Sequence, residues 1–451
     1  MLAAAVLIAG PALAAVQNVK VSGSVDSTYL YRRNFDFGTN SAATQLQSTF
    51  LTQSTLQVDA DLTDQVGATI ALINERTWEA DAGDDLTGID LQLAYVKLRE
   101  MLYSPLTLII GRQNFAYGNS LIIDSAGTNN SSPGDSGING IANDLTKQTA
   151  LDAFRAILDY NPLTIDIVYA QIAETAGGGF YFSGEEDDHR LAGVNANYQL
   201  GDDMDSVIEA YFWKRHLKEP SCCSGNLKSD TTYTFGGRVS TNPIEGLNLQ
   251  VENAYQSGTF NGFGSTNHAR RSAWIVQAIA NYQIPALDEY NPTIQYVYTK
   301  ATGNADDNSD PNRYTAWDPM FENQGGGKIY NSIFNLSNMH IHQLTLGFNP
   351  MEDLLAKVSI AGLWLERKFK SPFAASFYPL THPGSGGDSF DGDVDVTHTR
   401  LGKELDLDLI YDYTEDVQIG GNLGWFFPGG FFPSQSSETA KQAILHMNVA
   451  F

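Results

Sequence analysis

Cysteine is almost absent: the chain of 451 residues has 2, adjacent at Cys222 and Cys223. A disulfide-stapled scaffold and a Cys-rich zinc or iron–sulfur centre are thereby excluded. The vicinal pair reads as two unrelated loop residues, with a strained disulfide or a metal pair as the sharper alternative. Basic residues are also scarce, 27 Lys+Arg against 52 Asp+Glu for a formal charge of −25. Such a chain has no basic face for nucleic acid. Beyond the N-terminus no segment reaches the roughly 18 consecutive apolar residues of a membrane-spanning helix. No G-x-x-x-x-G-K-[ST] motif occurs, and no Gly-rich turn joins a strand to a helix, so nucleotide-driven work is not expected. Disorder is excluded in turn, because 42% hydrophobic and 11% aromatic residues are too many for a chain that cannot build structure.

The one long apolar run is MLAAAVLIAGPALAAV, ending in the small residues Ala12-Leu13-Ala14 that a signal peptidase reads. Residues 1–14 are read as an export signal and 15–451 as a single domain. No Lys or Arg precedes the apolar run, which points to a truncated or misassigned start, a non-cleaved anchor being the alternative.

From residue 17 onward the chain alternates with period two. KVSGSVDSTYLYR sets Val21, Val25, Tyr29 and Tyr31 against Lys20, Ser22, Ser24, Asp26, Thr28 and Arg32. LTIDIVYA sets Leu163, Ile165, Ile167 and Tyr169 against Thr164 and Asp166; GKELDLDLIYDY sets Leu405, Leu407, Leu409 and Tyr411 against Glu404, Asp406 and Asp408. Each such strand has one apolar and one polar face. A soluble sandwich would alternate too, so the connections decide. About eighteen strands can be placed, among them 354–369 and 395–412, and their connections alternate between tight turns and long polar segments such as 117–149, 303–337 and 370–394. The fold class predicted is therefore all-β: a transmembrane antiparallel β-barrel with short periplasmic turns and long extracellular loops, located in a Gram-negative outer membrane. In such a barrel lipid covers the apolar face and closure pairs the backbone, so no independent core is required. Tyr95, Tyr160, Tyr198, Tyr282, Phe348 and Tyr411, near strand ends, suit the interfacial girdle. The final strand ends in a carboxy-terminal Phe451, which looks like the signal by which barrel-assembly machinery recognises its clients.

The polar faces are expected to line an aqueous lumen too wide for side chains to fill. By parity its basic candidates are Lys20, Arg32, Arg155, Arg238, Arg271 and Arg367. The acidic candidates are Asp26, Asp59, Asp166, Glu252, Glu404, Asp406 and Asp408. Arg76 and Arg112 lie where the alternation blurs. Guanidinium groups there would draw in carboxylate or phosphate solutes; the alternative is that they pair with neighbouring acids and brace the wall. Acidic clusters at 185–188 and 306–310, and Asp388, Asp391, Asp393 and Asp395, lack the EF-hand order. They are read as solvated loops, with calcium binding or bridging to lipopolysaccharide as the alternative. No cofactor or metal site is expected.

The segments INERTWE (73–79), LQLAYVKL (91–98) and LIIGRQNFAYGNSLI (108–122), with WDPMFENQGGGKIYNSIFNLSN (317–338), resemble the alginate-export family of outer-membrane porins. The resemblance spans nearly the whole mature chain. It implies a monomeric barrel passing an anionic polysaccharide outward through an arginine-lined constriction, with Arg112 as the best-matched pore residue and Arg76 second. The departures are uniformly short periplasmic turns and acidic residues diluting any positive pathway.

The function expected is a porin for passive diffusion or export of hydrophilic solutes, anionic uronates or polysaccharides among them, and not an enzyme. Loop 117–149 is the candidate for an inward constriction. Two alternatives stand beside it. One is a plugged structural or adhesive barrel working through its loops, in contact with lipid and lipopolysaccharide. The other is an outer-membrane hydrolase built on His340, His342 and Glu322.

Overall fold

A computed structural model describes residues 18–35, 37–38, 46–78, 88–125, 143–172, 189–217, 229–260, 269–287, 289–304, 312–324, 328–369, 395, 397–432 and 437–451. The proposed signal at 1–14, Cys222-Cys223 and the acidic residues at 185–188, 306–310, 388, 391 and 393 lie outside them.

The first half of the wall is β1 (Asn18–Arg33), β2 (Leu46–Thr63), β3 (Val66–Thr77), β4 (Asp90–Leu98), β5 (Leu106–Gln113), β6 (Leu151–Asp159), β7 (Leu163–Ile172), β8 (His189–Gln199) and β9 (Val207–Leu217). The second half is β10 (Asp230–Ile244), β11 (Leu247–Phe260), β12 (Ala269–Gln283), β13 (Thr293–Ala301), β15 (Met339–Met351), β16 (Leu354–Leu365), β17 (Arg400–Thr414), β18 (Val417–Pro428) and β19 (Ala440–Ala450). A two-residue strand, β14 (Arg313–Tyr314), pairs in parallel with the outer end of β12 and is not part of the wall. Of the 19 strands in the sheet the other eighteen pair antiparallel with their neighbours, and β1 pairs with both β2 and β19. The sheet is therefore a closed cylinder. Closure extends to the last residue, since Phe451 exchanges backbone hydrogen bonds of 2.9 and 3.0 Å with Gly23. Gly23 has to be glycine, because a Cβ there would lie 2.6 Å from the Thr55 carbonyl and 2.7 Å from the Phe451 ring.

Burial is inverted relative to a globular sheet. Val21 and Val25 are exposed while Asp26, Thr28 and Arg32 are buried; Ile167 and Tyr169 are exposed beside buried Asp166; Leu407 and Leu409 are exposed beside buried Glu404 and Asp406. Apolar side chains face outward to lipid and polar ones inward, as a spanning barrel requires. Tyr160, Tyr198, Phe348 and Tyr411 belong to the outward set. Tyr95 does not: it pairs with the buried Thr69 and shares its inward face.

The expectation that the chain needs no core of its own is corrected. Toward the end that carries the long connections the cylinder encloses a continuous apolar cluster. Phe37, Phe115, Leu121, Ile122, Ile123, Trp317, Phe321, Ile329 and Phe334 from the connections pack against inward wall residues Ala153, Ala170, Ala254, Ala273, Ala301 and Ala361. The small inward side chains leave room for the large ones. Each buried aromatic contributes on the order of 1.5–3 kcal/mol, which holds the connections inside.

Candidate functional site: the lumen and its inserted loops

Among the described residues, two connections fill most of the cylinder's mouth. From the first, between β5 and β6, the single turn Asn143–Leu145 and residues after it run along β1–β4. Arg32 on β1 donates to both oxygens of Asp144 at 2.8 and 2.6 Å, and from Nε to Gln442 at 2.9 Å. Glu75 on β3 accepts from Thr146 Oγ1, the Lys147 amide and Gln53. Lys147 pairs with Asp26, and Gln148 donates to Asp90 at 3.0 Å. Burial pushes the Asp144 carboxyl up, but the Arg32 guanidinium outweighs it and holds the group below the usual carboxylate range. The described parts of 117–149, the candidate for a constriction, thus lie inside the cylinder; 126–142 lie outside the described residues.

The second connection, between β13 and β15, carries α1 (Ile329–Ile333), all five of whose residues are buried. Here β17 presents Glu404, Asp406 and Asp408 in a ladder. Glu404 accepts the amides of Ile329 and Tyr330 at 2.8 and 2.7 Å. Lys328 Nζ lies 3.4 Å from Asp406 and 3.2 Å from Asp408. Burial alone would lower the Lys328 ammonium, yet Asp406 and Asp408 outweigh it and its pKa is raised. The two inserted connections also pair with each other. The Asp124 amide donates to the Phe321 carbonyl at 2.8 Å, Phe321 to Ile122 at 3.1 Å, and Ser332 Oγ to Asp144 at 3.0 Å. They form one layer, not two separate flaps.

Most of the inward arginines reach carboxylates of this layer or of the wall. Arg155 donates to Asp166 at 2.8 and 2.5 Å and lies over the Phe115 and Tyr117 rings. Arg238 pairs with Glu209 and donates to Gln250 at 3.0 Å. Arg271 sits 3.1 Å from Asp230 and 3.7 Å from Asp318, beside the stacked Phe260 and Tyr314 rings, and Arg215 also pairs with Asp318. Burial raises Asp318, but the two guanidinium groups win and its pKa is lowered. Glu252 accepts from the Tyr211 hydroxyl at 2.7 Å. Glu322, by contrast, is fully buried, and burial pushes its carboxyl up to about 7 against the pull of the Gln324 amide.

Of the arginines taken as lumen candidates, three do not face inward. Arg112 pairs with Asp152 at 3.6 Å; its register partners put it on the face of exposed Phe154, one residue from inward Gln113. Arg76 stands opposite Thr52 and lies 4.5 Å over the ring of exposed Trp78, while its neighbour Glu75 is the inward group. Arg367 lies past the end of β16, exposed, with its Nε 3.2 Å from Glu366. The alternation blurs around Arg76 and Arg112 because inward positions there, such as Ala71, Ile73 and Ile109, are apolar as well, packing on the inserted layer or against the wall. Expecting 354–369 as strand misplaced Arg367.

His340 and His342 face outward, bonded to Tyr298 and Tyr296 at 3.1 and 2.7 Å. Glu322 is inside the wall, so this trio is not assembled into a hydrolytic site.

Toward the turns, inward Lys20, Lys97 and Lys357 have no carboxylate within 4.0 Å among the described residues. Lys20 faces Asp59 across the β1–β2 ladder, but Asp59 accepts from Gln57 at 2.8 Å and Thr69 at 2.6 Å. Between the layer and the β12–β13–β15 wall is a cavity of about 330 Å³, lined among others by Gln277, Gln295, Thr299, Gln324, Phe334 and Gln343. Sequence reasoning missed this lining. A signal was present, since apolar residues within loop stretches such as FAYGNSLII and IYNSIF need burial somewhere.

A family model described as alginate export matches residues 18–446. No curated protein matches the chain in sequence. Among solved structures, Pseudomonas aeruginosa OccD3 (OpdP) is similar at 12% identity and TM-score 0.57, covering 97% of this chain and 92% of that one. P. aeruginosa OccK2 (OpdF), solved in complex with glucuronate, gives 12% identity and TM-score 0.56 over 97% and 99%. Acinetobacter baumannii OccAB4 gives 10% and 0.56 over the same shares, 97% and 99%. At such identities these likenesses speak for the fold. With the match over residues 18–446 and the closed eighteen-strand cylinder, the chain belongs to the alginate-export family of outer-membrane barrels and is a transport-type barrel of the Gram-negative outer membrane.

Proposed function

We propose that this barrel is a passive channel for hydrophilic solutes, with anionic, uronate-like molecules and polysaccharide segments among them. The observation that carries the anionic part is the set of inward lysines, Lys20, Lys97 and Lys357, near the turn-bearing end. Unpaired ammonium groups in a confined lumen attract carboxylates and hold them loosely enough to release. The glucuronate in OccK2 and the family's description support the same class of solute. The inward arginines support it less, because Arg32, Arg155, Arg238 and Arg271 spend their charge on Asp144, Asp166, Glu209 and Asp230 and brace the wall.

The test is the reversal potential of the purified protein in a planar bilayer under a salt gradient. Anion preference is expected, and Lys20→Glu/Lys97→Glu/Lys357→Glu should move it toward cations. Arg112→Glu should leave it unchanged, since Arg112 faces outward. Cation preference in the wild type would remove the anionic reading. Steady electrical silence would favour the second reading, a plugged barrel acting through its loops, which the packed aromatic layer supports. The assembly role of Phe451 and contact with lipopolysaccharide phosphates through the outward rim residues Arg76, Arg112, Arg190 and Lys214 belong to the same proposal. Loss of folded barrel on deleting Phe451 would support the first.

A further inference from the structure

We propose that the cavity between the inserted layer and the β12–β13–β15 wall is a binding site for a neutral, hydroxyl-rich solute of mono- or disaccharide size. The inference rests on the barrel being a solute passage and names what this part of it recognises. Its polar lining is made of amides and hydroxyls, chiefly Gln277, Gln295, Gln324, Gln343 and Thr299, with no Asp, Glu, Lys or Arg side chain. An ionised solute entering there would lose hydration without gaining a counter-charge. A hydroxyl group can both donate to and accept from a primary amide, so a polyol keeps its hydrogen bonding.

Gln277 supplies the second observation. It is 2% exposed, and its Nε2 donates to Thr299 at 3.0 Å and to Gln324 at 2.5 Å. Its Oε1, buried, accepts no hydrogen bond among the described residues. A buried acceptor of this kind is destabilising unless a donor reaches it. Gln343 is similarly underused: among the described residues its side chain bonds only to Thr345, at 3.4 Å. Val297, Ile279 and Ile341 lie two residues along their strands from the amides and so share the same inward face, with Phe334 from the layer opposite. Interleaved apolar and amide patches match a pyranose, which has C–H faces and a rim of hydroxyls. The volume of about 330 Å³ sits at the small end of ligand sites.

The experiment uses the full chain in detergent, with glucose, maltose and glucuronate as probes, read by saturation-transfer NMR and by block of single-channel current. Maltose or glucose should bind, and Gln277→Leu should weaken that binding at least tenfold while leaving glucuronate binding unchanged. Gln343→Ala, at a less buried site, serves where Gln277→Leu does not fold. Glucuronate binding weakened by the variant as much as that of the neutral sugars, no binding by either neutral sugar, or neutral-sugar binding unchanged in the folded variants would each overturn the assignment. Neutral-sugar binding by NMR without any conductance would keep the site and sink the channel.

Discussion

Breaking the Arg32–Asp144 pair should open the lumen. The two side chains are 3% and 12% exposed and share a two-pronged contact at 2.8 and 2.6 Å. Asp144→Ala removes the carboxylate from the buried guanidinium, which keeps its bond to Gln442, and removes the acceptor of Ser332 Oγ, which ties α1 to the same point. Removing one partner of a buried pair costs up to about 3–5 kcal/mol, which is at most roughly two to three and a half orders of magnitude in the docked-to-undocked ratio of the Asn143–Leu145 turn. Glu75 and Asp26 still hold Thr146 and Lys147, so the turn should fray without releasing the rest. In single-channel recording the variant should show larger conductance or frequent transitions to a larger level. Arg32→Met/Asp144→Leu, which removes both charges and keeps volume, should recover most of the quiet baseline. The Asp144 pKa is depressed by Arg32, so this docking energy is complete above about pH 4 and is lost only as pH falls through the lowered value. A variant with wild-type conductance and noise would refute the claim that this pair holds an obstruction in place.

Glu322 gives the opposite pH dependence. Its raised value near 7 means docking of residues 312–324 is strongest in acid and weakens between about pH 4.5 and 7, by about 3 kcal/mol at most. Glu322→Gln should abolish that slope in hydrogen exchange corrected for intrinsic rates, and a slope as steep as wild type would count against it. Lys328→Met strands the Glu404–Asp406–Asp408 ladder, and a loss of about 3–5 kcal/mol should appear as a lower unfolding temperature in detergent. Gly23→Val forces a side chain onto the Thr55 carbonyl and the Phe451 ring, so the heat-modifiable folded band should be lost; a normal band would mean the closure is not that tight.

The barrel itself was legible in the residues. Val21 and Asp26, Ile167 and Asp166, Leu407 and Asp406 sort to lipid and lumen by parity, because each side chain's partition between hydrocarbon and water is a local property. Tight turns such as Thr63-Asp64-Gln65 and Asn161-Pro162 set the alternating connections by local backbone chemistry. The facing of Arg32, Arg155, Arg238 and Arg271 followed from the same rule. It failed for Arg112 and Arg76, where inward apolar residues pack on the inserted layer or against the wall and hide the period. Only the tertiary structure decided that the mouth is filled. That outcome depends on contacts between residues far apart in the chain, Asp144 with Arg32 and Glu404 with Ile329, whose energies exist only once the cylinder has closed and brought them within a few ångströms. The same closure turned charges that looked available for solutes into ion pairs, and left an amide-lined cavity that no single strand's pattern encodes.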